Sequence, residues 1–268
     1  MIKIVKKIKF NSKENRMLNV GSIEKIIKNY EQGKNKNLEY LLSKRFSWMN
    51  DFIKSTDIGL EVGAGAGLSK KFILNKNLKT SDFSEHQHLD FKNIDAQKTK
   101  FDKNSFDYII ASNMIHHIPY PIKFFQETHR ILRKGGKLII FDAYCSLILQ
   151  LFTILMKHEG FDFTVNPWST TQPVTDEHDV WSGNIAVTNL IFDNIDLFQE
   201  KVGNLYKIEH QKITECLIFL NSGGVCSTTF CIPLNKTMIK ILDKLDSFLT
   251  KYFPKFFALG RQIVLKKI

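Results

Sequence analysis

One short stretch limits what this chain can fold into more than any other: Glu61-Val62-Gly63-Ala64-Gly65-Ala66-Gly67, in which the apolar run Ile58 to Val62 ends. A buried strand that breaks into alternating glycines brings the backbone close to a ligand without Cβ clashes. If a helix follows, its free N–H groups and partial positive charge face that ligand. The carboxyl ends of strands in open α/β sheets are where such ligands bind.

The rest of the pattern fits a sheet of that kind. Ser69 to Leu74 is expected to be the helix after the turn, and Leu78 to Ser81 a second strand ending in Asp82. Phe91 to Ile94 is expected as a third strand ending in Asp95, and Asp107 to Ala111 as a fourth. Pro121 to Arg133 has the 3.6-residue apolar period of a helix, and Lys134-Gly135-Gly136 is expected to cap it with a left-handed glycine. Leu138 to Phe141 is a fifth strand. Strands alternating with helices imply a parallel sheet with right-handed crossovers.

The alternation then stops. Tyr144 to Tyr206 is expected to be an insertion lying over the sheet, with Leu205 to Thr214, Met238 to Phe253 and Arg261 to Leu265 as a strand, a helix and a last strand. The expected division is a basic helical leader (1–56), a ligand-binding core (57–143), a substrate lid (144–206) and a C-terminal part completing the sheet (207–268).

The glycine spacing narrows the ligand class. A dinucleotide site needs G-x-G-x-x-G. The third glycine of that pattern falls on Leu68 in one frame and on Lys70 in the other. Instead an acid stands two residues before the first glycine. Glu61 suits a cationic α-amino group and not a pyrophosphate. Asp82 at a strand end can accept from two ribose hydroxyls, although turn acids alone also account for Asp82 and Asp95.

Four stretches in order and spacing resemble the class I S-adenosylmethionine-dependent methyltransferases, nearest the small-molecule type 11 domain. They are Leu60 to Gly67, Asp95-Ala96, Asn104 to Ile110, and Ile131 to Leu138. One departure is Thr99-Lys100-Phe101 where that family commonly has Leu-Pro-Phe. The resemblance implies a Rossmann-like, mostly parallel seven-stranded sheet with an antiparallel last strand and helices on both faces. It also implies S-adenosyl-L-methionine (SAM) as cofactor. Cofactor contacts carry over to Glu61, Gly63, Gly65, Asp82, Asp95, Ala96 and Asn113, with Gly67 closing the turn and Phe83 following Asp82. No acceptor carries over.

Candidate catalytic groups are therefore sought past the fourth strand and in the insertion. His117 follows the fourth strand in Ser112-Asn113-Met114-Ile115-His116-His117. His158, Glu159 and His178 lie in the insertion, near Asp176, Asp179 and Trp181. Any of the four could act as a base toward an acceptor hydroxyl; packing and solvated loops explain the same residues. No ligand spacing is diagnostic, so no metal site is predicted. Arg261 could hold an anionic substrate group or make a structural ion pair.

The chain of 268 residues carries a formal charge of +11, and residues 1–45 hold twelve Lys/Arg against four Asp/Glu. A basic leader can meet phosphate, anionic lipid or RNA, and a solvated surface explains it equally. An RNA methyltransferase is the alternative function, but the chain lacks an Asn/Asp-Pro-Pro-aromatic motif after the fourth strand and any recognisable RNA-binding module. A non-catalytic SAM-binding protein is another alternative. Cys145, Cys216, Cys226 and Cys231 form no metal spacing. Cys145 to Met156 includes Gln150 and falls short of the roughly 20 residues a bilayer span needs. The expectation is a cytoplasmic enzyme acting on a small molecule (a sugar, a surface-polysaccharide precursor or a lipid-linked intermediate), with peripheral membrane contact allowed and nucleic acid disfavoured.

Overall fold

The computed structural model describes residues 9–12, 21–33, 35–157, 159–225 and 229–268. The centre of the chain obeys the period-2 rule of strands. In β4 (Phe106–Ser112), Ile109 and Ala111 enter one apolar cluster, while Tyr108 and Ile110 enter another. Leu138 and Ile140 alternate with Ile139 and Phe141 in β5 (Leu132–Ala143) in the same way. A strand apolar on both faces must be covered on both, so the sheet has a core on each side.

The sheet is six-stranded among the described residues, in the order β3-β2-β4-β5-β8-β7. β2 is Gly59–Val62, β3 Leu78–Thr80, β7 Tyr206–Thr214 and β8 Gly260–Lys267. β3, β2, β4 and β5 are mutually parallel, and β8 is antiparallel to both β5 and β7. The expected antiparallel last strand is thus β8. The expected strand at Phe91 to Ile94 is reduced to one bridge, Ser81 with Phe91, because Asn93 turns left-handed (φ 55°) and breaks the extended run.

Two local expectations change. The residues after the glycine turn form only a 3-10 turn, Leu68–Lys71. The chain is then pulled round by Asn75, whose side chain donates to the carbonyls of Lys54 and Asp57. The helix before β5 runs Pro121–Ile131 and has no glycine cap; Leu132 is already extended, and Gly135 takes its positive φ of 74° inside the strand.

The helices, in chain order, are α1 (Gly21–Glu31), α2 (Lys36–Phe46), α3 (Pro121–Ile131), α4 (Leu147–Met156), α5 (Val187–Phe192), α6 (Ile195–Val202), α7 (Leu217–Leu220), α8 (Lys236–Tyr252) and α9 (Pro254–Phe257). Side chains of Asn35, Ser146, Asn194 and Asn235 accept from backbone N–H groups in the first turns of α2, α4, α6 and α8, filling donors that a helix leaves unmet. β1 (Lys9–Phe10) pairs antiparallel with β6 (Phe161–Asp162), tying the leader to the segment after β5. No helix among the described residues is long and apolar enough to cross a membrane.

Candidate active site

The carboxyl ends of β2, β3, β4 and β5 open into a cavity of about 740 Å³. Its first wall is the glycine turn. Gly63, Gly65 and Gly67 have φ of 65°, 50° and 65°, a region that side chains rarely enter. A Cβ at Gly63 would also lie 2.8 Å from Cβ of Met114. Gly63 and Gly65 line the cavity; Gly67 does not, and instead begins the 3-10 turn against Leu89 and His88.

Glu61 enters from β2 and is 2% exposed. Burial pushes its carboxyl up to about 7, although the Ser69 hydroxyl donates to it. A cationic group arriving from the cavity would restore its charge. Asp82 spans the turn: one oxygen accepts from Gly65 N–H at 2.9 Å and the other from Ser84 N–H at 2.9 Å. Asp95 accepts from the N–H of Gln97 at 2.8 Å. Phe83, half-exposed, stands with Asp95 and Ala96 on the cavity wall. Asn113 lines it in a left-handed conformation (φ 51°), its N–H donating to Phe141 O at 2.7 Å. Of the nine expected cofactor residues, the fold brings all but Gly67 to one cavity.

The second wall is polar. Asp142, at the end of β5, faces Nδ1 of His116 and accepts the Ile115 N–H with its other oxygen at 2.8 Å. Nε2 of His116 lies 3.5 Å from Oε2 of Glu159, and Nε2 of His117 lies 3.7 Å from Oε1 of the same carboxylate. Nδ1 of His117 is 3.0 Å from the carbonyl of Ser182. Burial alone would push the His116 imidazole down, but the carboxylates of Asp142 and Glu159 outweigh it and raise it to about 10. Burial, with the charge of His116 beside it, lowers His117 to about 4 and keeps that ring neutral.

The four expected catalytic residues do not all meet. His117 and Glu159 line the cavity together. His158 falls outside the described residues. His178 points to solvent, its side chain 88% exposed and 3.9 Å from Glu177, whereas Asp176, Asp179 and Trp181 on the same segment do line the cavity. Arg261 holds no substrate group: it is 1% exposed, donates to Thr188 O and Asp193, and lies over the Tyr144 ring. Sequence reasoning took His116 only as the neighbour of His117 in a histidine pair, and did not single out Asp142. The usable signal for Asp142 is its place at the carboxyl end of a central strand, the same edge that carries Glu61 and Asn113.

Comparison with known proteins agrees with this geometry. A family profile described as "Methyltransferase domain" matches residues 60–140. The chain is 31% identical over 121 residues to a phosphoethanolamine N-methyltransferase of Caenorhabditis elegans, covering 40% of this chain and 27% of that one. It is 28% identical over 102 residues to a phosphatidylethanolamine N-methyltransferase of Cereibacter sphaeroides (32% and 50% covered). Against a ubiquinone/menaquinone biosynthesis C-methyltransferase of Rickettsia bellii it is 26% identical over 160 residues, 59% of each chain. The matched regions span less than two thirds of each of these relatives' lengths.

Proposed function

From a chain that carries the class I SAM-dependent methyltransferase domain over residues 60–140, we propose an enzyme that transfers a methyl group from SAM to a hydroxyl or amine of a small-molecule acceptor. The observation that carries this is the single cavity joining the glycine turn and its carboxylates to the His116–Glu159–His117 cluster. The residues fit the cofactor. A buried, easily recharged Glu61 suits its α-ammonium group, Asp82 its ribose hydroxyls, and the Asp95-Ala96 segment its adenine. The volume lies within the range of roughly 300–1,000 Å³ usual for ligand pockets. Bound there, SAM supplies a methyl group on a positively charged sulfur, open to in-line displacement by an acceptor lone pair.

The chain's own residues then have to exclude water and align the acceptor. Residues 144–206 supply the lid in this reading: Phe152, Met156, Val180 and Ile185 make an apolar side of the cavity, and Glu159 and Asp179 a polar one. His117, with its Nδ1 proton held on Ser182 O, stays neutral, and the Glu159 carboxylate between the two imidazoles is placed to take the acceptor's proton. A cavity with one apolar and one polar side suits a sugar or a lipid-linked precursor. The relatives, by their names, methylate nitrogen on phosphoethanolamine or phosphatidylethanolamine and carbon in ubiquinone/menaquinone biosynthesis, so they do not agree on the acceptor atom.

The test is transfer of tritium-labelled methyl into fractionated small molecules, lipids and RNA. Label in small molecules or lipids is expected; label in RNA would replace this reading by the RNA alternative, and no SAM binding by calorimetry would end both. With the acceptor in hand, Glu159→Gln is expected to lower kcat by about 100-fold, in the usual range for a lost acid–base group. SAM affinity should be unchanged, and His178→Ala should stay within about twofold of wild type, as surface substitutions do.

A second reading concerns how the acceptor arrives. α4 turns Phe152 and Met156 into the cavity but leaves Leu151, Ile154 and Leu155 exposed. α9 packs against both α4 and α8. Phe256 on α9 and Ile241, Leu245, Phe248 and Tyr252 on α8 are exposed too. Lys240, Lys244 and Lys251 are exposed on α8, while Asp246 is buried and Asp243 pairs with Lys44. An apolar stripe flanked by lysines is the pattern of a helix lying in an anionic lipid surface. We propose that this face rests on such a membrane. Co-sedimentation with phosphatidylglycerol vesicles should fall by at least about tenfold in Leu151→Glu/Phe248→Glu, because apolar burial drives such binding. Equal sedimentation of the variant and the wild type would rule the face out.

A further inference from the structure

In the cluster at the polar wall, each imidazole has one nitrogen already committed. Nδ1 of His116 faces the Asp142 carboxylate, and Nδ1 of His117 faces the Ser182 carbonyl at 3.0 Å. Both partners are acceptors, so both Nδ1 atoms carry protons; Nε2 of His117 keeps a lone pair, and Nε2 of the charged His116 gains one when an ion displaces its proton. Both Nε2 atoms converge on one carboxylate, at 3.5 and 3.7 Å.

These separations have a meaning. Ligand atoms about 2.1 Å from a tetrahedral ion stand about 3.4 Å apart, and each imidazole lies near that distance from its own oxygen of Glu159, His116 from Oε2 and His117 from Oε1. One ligand atom from each of His116, His117 and Glu159 lies within 4.8 Å of the others. Close approach is possible because position 183 is glycine: a Cβ there would lie 3.1 Å from Cε1 of His117 and 3.3 Å from Oε2 of Glu159. The carboxylate and the carbonyl on the far nitrogens are the partners that orient metal-ligating imidazoles and raise their basicity.

We propose that His116, His117 and Glu159 bind one divalent transition-metal ion through two Nε2 atoms and a carboxylate oxygen, with an open position facing the cavity. Two imidazoles and one carboxylate suit zinc, and also cobalt, manganese or iron in the divalent state. The acceptor's oxygen or nitrogen would take the open position, and in that clause the inference rests on the function proposed above; the ion site itself does not. The competing occupant of the gap is a proton on Nε2 of His116, bridging to Glu159.

The experiment uses the full chain without a histidine tag. Zinc content is measured by mass spectrometry after dialysis, and Co²⁺ is titrated while its visible absorption is followed. SAM binding is measured in parallel by calorimetry. One ion per chain and a saturable tetrahedral cobalt spectrum are expected. His117→Ala and Glu159→Gln should abolish both, and Asp142→Asn should weaken the ion by about 10–100-fold, the usual effect of a lost orienting partner. SAM affinity in the three variants reports that they fold. Wild type that binds SAM but neither zinc nor cobalt leaves the proton as occupant and overturns the site. So does an ion that persists in both ligand variants. A chain that binds the ion but not SAM would instead defeat the methyl-donor reading and leave the site standing.

Discussion

Glu61→Gln is expected to weaken SAM binding by about 10–150-fold, the value of a hydrogen bond to a charged group, about 1.5–3 kcal/mol. The same change should make the cofactor-free protein more stable above neutral pH. The sign follows from burial. The carboxyl moves up from 4.5 to about 7 in the folded chain, so between those values the folded state binds the proton and the unfolded state has lost it. The neutral carboxyl is fully tolerated below pH 4.5. The cost of keeping a charge in that place grows through the window and reaches about 3 kcal/mol above pH 7, by linkage. Glutamine carries no such cost. Thermal unfolding at pH 5 and pH 8 checks it: the variant gains on wild type far more at pH 8 than at pH 5. A second consequence is that wild-type SAM affinity rises with pH up to about 7, because an ammonium partner favours the ionised carboxylate. A flat affinity profile would place the α-ammonium elsewhere.

Glu215→Ala should lower stability by about 3–5 kcal/mol, the usual cost of breaking a buried ion pair from one side. Arg45 on α2 donates through Nε and one terminal nitrogen to the two oxygens of Glu215, at 2.7 and 2.8 Å. Arg45 is 8% exposed and Glu215 2%. The guanidinium also lies 5.1 Å from the ring centres of Phe141 and Phe219. Removing the carboxylate leaves that charge buried between two aromatic rings with nothing to replace its partner. For a chain of this size the melting temperature should drop by roughly 10 °C. Arg45 and Phe219 line the cavity, so SAM affinity is expected to fall as well. A drop below about 2 °C, less than the mildest penalty of such a loss, would mean that water reaches the guanidinium.

These two residues stand at opposite ends of what a sequence can show. Glu61 is legible because its meaning is local: an apolar strand, an acid, and three glycines whose left-handed conformations the backbone demands. The strands β2, β4, β5 and β8 are legible for the same reason, since a short continuous apolar run between turn residues marks a strand buried on both faces. The 3-10 turn after the glycines and the reduction of Phe91 to a single bridge were not, because each depends on one asparagine acting against the local pattern, Asn75 through distant carbonyls and Asn93 through its φ.

The sequence by itself therefore determined the class of sheet, the turn at its carboxyl edge and the chemistry of the group that turn can receive. Only the tertiary structure decided the rest. Arg45 meets Glu215 across 170 residues and His116 meets Asp142 across 26, while His178 faces water and Arg261 is spent on Asp193. Such meetings follow from strand order and from how the segment after β5 folds back over the sheet. Backbone conformation answers to neighbours a few residues away. The convergence of side chains answers to elements far apart in the chain, and no local pattern encodes it.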